Sequence, residues 1–109
     1  RFASTRRALP EAAFTDQRLA FAHWRDESAA VLREAHAGRP LPAPSVPTLV
    51  IASDADDDIP PGVSAAYAQG IGASLCCVAG GHVAPVMGPT AAAAAQAALA
   101  WWAVCLSRP

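Results

Sequence analysis

Two groups of residues in this chain have the types and spacing to do chemistry. The first is a run of four carboxylates, Asp54, Asp56, Asp57 and Asp58, placed at the end of the apolar stretch Thr48–Ala52. The second is His82, which follows Gly80 and Gly81 at the end of another apolar stretch, Ser74–Ala79. A carboxylate within hydrogen-bond reach of one imidazole nitrogen fixes the ring's tautomer and stabilises the imidazolium that forms when the other nitrogen takes a proton. Parallel neighbouring strands end side by side, so acids after one strand and a histidine after the next can meet at the same sheet edge. That edge, beyond the carboxyl ends of the strands, is where open α/β folds place their chemistry.

Taken without the histidine, the acidic run reads as a solvated, helix-capping cluster. Asp54-x-Asp56-x-Asp58 has the spacing that opens a calcium loop, but Ile59 stands where the sharp-turn glycine belongs and Ala65 where the bidentate acid belongs. No metal and no cofactor are therefore expected. A strand followed by Asp-x-Asp also resembles the opening motif of the haloacid-dehalogenase-like phosphatases. Their chemistry needs a basic residue, nearly always lysine, and a later acidic pair. All eight positive charges here are arginine, and no acid follows Asp58.

The elements that must position the two groups are legible in outline. Thr48–Ser53 is β-branched and aliphatic, as a strand buried on both faces would be. Pro60 and Pro61 end its pairing, and Pro61 suits the first turn of a helix over 61–69 that Gly70 would stop. Ser74–Ala79 is the second strand. Pro89-Thr90 opens a last helix to about Ser107, with Ala95, Leu99, Trp102 and Leu106 at helical spacing and Trp101 and Cys105 beside them. The order βαβα implies a parallel pair. Upstream, Glu11–Ala37 is helical in composition, with Thr15 as N-cap, Gly38 past the end, and Asp26-Glu27-Ser28 as the start of a second helix. Residues 1–9 have no clear period, and the prolines of 39–44 make an extended connector.

A chain of 109 residues allows one domain. With 53% hydrophobic and 16% charged residues and a net charge of −1, it has much to bury and no electrostatic case for nucleic acid or a membrane surface. No apolar run is long enough to span a bilayer. Three cysteines make no disulfide framework, since Cys76 and Cys77 are adjacent and would point to opposite faces of a strand. Buried reduced thiols are expected, and a cytoplasmic setting with them. Two parallel strands cannot stand alone. Beginning at Arg1, the chain is expected to start inside a larger gene product and to complete a larger sheet.

At the two chemical groups the chain resembles the carboxyl-terminal part of the α/β-hydrolase family. In that family one strand ends in a Gly-x-x-Asp-x-x-x-Pro type of segment and the next leads into Gly-Gly-His. Here the segments read Ser53-Asp-Ala-Asp56-Asp-Asp-Ile-Pro60 and Gly80-Gly81-His82, with Ser53 in place of the small glycine. The resemblance implies an α/β fold, with residues 45–109 forming the C-terminal part of the catalytic domain and 1–44 a lid or connecting helical segment. It makes Asp56 the triad acid, with Asp57 as runner-up, and His82 the triad base. It also implies hydrolysis of an ester, thioester, lactone or similar small acyl substrate. The family's nucleophile, a serine in Gly-x-Ser-x-Gly lying before the acid, is missing. Gly62-Val-Ser64-Ala-Ala66 follows two prolines and comes after the acid, so Ser64 reads as a first-turn helix residue. The serine would come from an upstream segment or a partner chain. The alternatives are a binding or receptor protein on the same fold, a purely structural fragment, or another reaction of the family. His23 and His36 read as surface or lid residues. Phe14, Phe21 and Trp24 would pack a helix or line an acyl pocket.

Overall fold

The computed structural model describes residues 2–38 and 40–107, a mixed α/β arrangement of five helices and a two-stranded parallel sheet. The strands are β1, Leu49–Ser53, and β2, Ser74–Val78. They pair in register from Leu49 opposite Ser74 to Ser53 opposite Val78. The pairing runs past the strands, since Asp54 donates its N–H to the Val78 carbonyl at 2.9 Å and Ala55 to the Gly80 carbonyl at 3.1 Å. The two chains therefore leave the sheet together.

Numbering in chain order, the helices are α1 (Phe2–Ala8), α2 (Phe14–His23), α3 (Ala29–Ala37), α4 (Pro61–Gly70) and α5 (Ala91–Leu106). The crossover helix α4 begins at Pro61, whose fixed φ suits the first turn. Both α4 and α5 pack on the sheet, and α1 packs on α2. Trp24, just past α2, donates its indole N–H to the buried Thr5 hydroxyl of α1 at 3.0 Å. Gln17 donates to the carbonyls of Leu9 at 2.8 Å and Ala12 at 3.2 Å, satisfying the turn between the helices.

Several expectations need correction. Residues 1–9 show no helical period, yet Phe2–Ala8 is helical, because α1 is stabilised by docking on α2 and by the fully buried Leu9 rather than by an apolar stripe of its own. Thr15 lies inside α2, and Ala13 holds the N-cap position without a side-chain cap. The second upstream helix does start at Ser28, and Gly38 follows α3 with φ +73°. The thiols are not buried: Cys77 is exposed, and Cys76 and Cys105 are half-buried, all three free.

The buried core is small-residue and thin. Its members include Leu9, Ala12, Ala20, Ala52, Ala68, Val78, Ala84 and Ala94. On α5 the buried residue is Ala94, while Leu99, Trp102 and Leu106 stand 68%, 55% and 69% exposed. The stripe at helical spacing is thus largely exposed, with Leu99 and Trp102 lining a groove beside Leu49 and Ile51 of β1. Every residue of α3 is exposed, and among the described residues the helix packs on no other helix or strand. The radius of gyration, 15.6 Å, exceeds the roughly 13 Å of a self-contained domain of this length. No helix of the described residues is long and apolar enough to cross a membrane.

Candidate functional site

The site lies at the carboxyl edge of the sheet. Past Ser53 the chain turns through Asp54–Ile59, and past Val78 it turns through Gly80–Gly81. Asp54 Oδ1 accepts the Gly80 N–H at 2.9 Å, stapling one turn to the other. Asp56 Oδ1 accepts the N–H groups of Asp58 and Ile59, both at 2.9 Å, the Asx-type bonding by which an aspartate folds its own loop. With the loop so folded, His82 Nδ1 lies 3.1 Å from Asp56 Oδ1 and 3.0 Å from Oδ2.

An ionised carboxylate only accepts, so Nδ1–H is the donor and the neutral ring carries its lone pair on Nε2. That is the tautomer a general base needs. Among the described residues Nε2 has no hydrogen-bond partner, and the His82 side chain is 38% exposed against 10% for Asp56. Partial burial works to raise the Asp56 carboxyl's pKa. The Ile59 N–H, the His82 imidazole and the Asp58 N–H outweigh it, so the group titrates below its ordinary 3.8. Asp56 therefore stays charged to lower pH than an ordinary aspartate does.

The acids divide by role, which their spacing alone does not reveal. Asp54 holds the glycine turn and Asp56 holds the imidazole; Asp57 is exposed and touches neither. Asp58 reaches the rim of an open cleft of about 470 Å³. Arg7, Phe21, Trp24 and Arg25 line the same cleft, which brings the helical pair up to the acid loop. Phe14 does not line it and stacks edge-on against Phe2, with ring centroids 5.8 Å apart. No group of three or more metal-binding side chains converges among the described residues. Ser64 lies in the first turn of α4, and His23 and His36 are exposed.

Sequence reading missed two features. Ser53, 2% exposed, buries a hydroxyl without a partner. Glu11 accepts the Gly81 N–H at 3.3 Å from 70 residues away. No local signal marks either, because a contact across that separation leaves no period in the sequence. No protein-family model, curated protein or solved structure matches the chain.

Proposed function

We propose that this chain is the C-terminal portion of an α/β-hydrolase fold and supplies the base and acid of a Ser-His-Asp triad, acting on an ester, thioester, lactone or similar small acyl substrate. The observation that carries the reading is the Asp56–His82 Nδ1 contact at 3.0 Å, with Nε2 unpartnered among the described residues. The serine belongs to an upstream segment or a partner chain that pairs with the open edge of the sheet.

In the reaction, the serine Oγ forms a bond to the acyl carbon while its proton passes to His82 Nε2. Asp56 stabilises the imidazolium through Nδ1–H. Collapse of the tetrahedral intermediate breaks the bond to the leaving alcohol or thiol, which takes the proton from Nε2. Water then repeats the two steps and frees the acid. The cleft beside Asp58, with Phe21 and Trp24 on its wall, offers apolar surface for an acyl group, in keeping with residues 1–44 serving as lid or connector.

The test is turnover of p-nitrophenyl esters and acyl thioesters by the intact protein. His82→Ala should lower kcat by several orders of magnitude. Esterase activity that survives this substitution unchanged overturns the proposal. A second reading, a ligand-binding protein on the same fold, is favoured by the open cleft of about 470 Å³ beside Asp58, lined by Phe21 and Trp24. It predicts a ligand bound in the cleft, no turnover, and affinity lost in Trp24→Ala.

A further inference from the structure

The turn between α1 and α2 grips the carboxyl edge of the sheet at the segment bearing His82. Ala8 accepts the Val83 N–H at 3.5 Å, and Val83 packs on the buried cluster of Leu9, Ala12 and Ala20. Glu11 Oε2 accepts the Gly81 N–H. The fit is tight: a Cβ on Gly81 would stand 2.9 Å from Pro10 Cδ and 3.2 Å from the Ala8 carbonyl. Gly80, at φ +119°, admits no Cβ either, since one would lie 2.7 Å from Ala84 Cβ and 3.1 Å from Glu11 Oε1.

We infer that Glu11 is a positioning residue for His82, holding the Gly80–Gly81 turn so that the imidazole meets Asp56. Two observations on one carboxylate carry this. One oxygen holds the backbone N–H immediately before His82, and the other, Oε1, is buried with no partner among the described residues. Burying a carboxylate oxygen unsatisfied costs stability, and a positioning role for Glu11 accounts for that cost. Asp54 restrains the same turn from the sheet side through the Gly80 N–H, so successive N–H groups of the turn are held from opposite sides. Misplacing a catalytic group by about 1 Å costs as much as ~10²-fold in rate.

The inference rests on the Asp56–His82 reading, and its test separates the two. In the intact protein, the His82 Nδ1–H resonance and the exchange rate of the Gly81 amide are followed by NMR alongside ester turnover. Glu11→Ala should speed Gly81 exchange, broaden or shift the Nδ1–H signal, and lower kcat about tenfold or more with KM little changed. Glu11→Gln retains an acceptor and should restore most of each signal. Glu11→Asp keeps the charge and withdraws it by one methylene, so it should fall between them, and it serves if the alanine variant does not fold. Ser74→Ala, which removes the Trp101–Ser74 bond at the far end of β2, should leave the His82 signal alone. Unchanged Gly81 and His82 signals in both Glu11→Ala and Glu11→Asp overturn the inference. If the native protein turns over no ester, the proposed function falls while the NMR signals still decide the role of Glu11.

Discussion

The carboxyl edge of the sheet and its flanks are built on opposite terms. At the edge, acidic side chains hold the backbone turns and the imidazole. Asp54 holds Gly80, Asp56 holds Asp58, Ile59 and His82, and Glu11 holds Gly81. On the flanks, apolar groups lack cover. β2 presents Leu75 at 41% exposure, and α5 presents Leu99, Trp102, Val104 and Leu106. A groove between β1 and α5 is lined by Leu49, Ile51, Leu99, Trp101 and Trp102. A monomeric protein rarely shows so much contiguous apolar surface unless something packs there. The Asp56–His82 pair is thus held from within this chain, whereas apolar residues on the flanks of the sheet that carries it are left uncovered. Specific hydrogen bonds can be completed locally, but covering both faces of a sheet takes more strands than two.

The largest effect that could break this contrast is on folding. Residues 1–109 produced alone should lack a cooperative thermal transition, because the buried core is mostly alanine. A sharp melt in a monomer would mean that the flanks need no cover. Next in size is the difference among the acids. In the intact protein Asp56→Asn should cost up to ~10⁴-fold in kcat, as loss of a triad acid does. Asp57→Asn and Asp58→Asn should cost far less, since only Asp56 bonds the ring. A larger loss in Asp57→Asn would reassign the acid while leaving the fold in place.

Smaller effects sharpen the comparison. Gly80→Ala should destabilise by about 1–3 kcal/mol in denaturant titrations, through the clash with Ala84 and the left-handed backbone. Thr90→Ala, at the α5 N-cap where no side-chain cap bond exists, should change little by the same measure. The Asp56 carboxyl adds a pH signature. Its folded pKa lies below the ordinary 3.8, so its contribution to stability is present above that value and is lost as pH falls through the folded pKa. Thermal midpoints below about pH 4 should converge for the native protein and Asp56→Asn, and separate above it. Last, Ser53→Ala removes a buried, unpartnered hydroxyl and should be neutral or stabilise by up to about 1 kcal/mol.

How much of this was legible in the sequence follows the same division. β1, α4, β2 and α5 came out within a residue or two, because each has its own composition and is bounded by proline or glycine. The meeting of Asp56 and His82 follows from two parallel strands ending together, so strand order alone brings the loops together. What stayed hidden depends on distant partners. The helicity of Phe2–Ala8, the reach of Glu11 and the exposure of Leu99 and Trp102 are set by what packs where. Spacing on α5 shows that a stripe exists, and it cannot show which side the sheet occupies.

The central claim is that His82 and Asp56 are two parts of a triad whose nucleophile lies elsewhere. The most direct measurement is labelling of the intact protein with a fluorophosphonate, which marks activated serines. The account predicts label on a serine outside these 109 residues, lost in His82→Ala because the serine is a weak nucleophile without its base. Label on Ser64, or label that persists without His82, would contradict it.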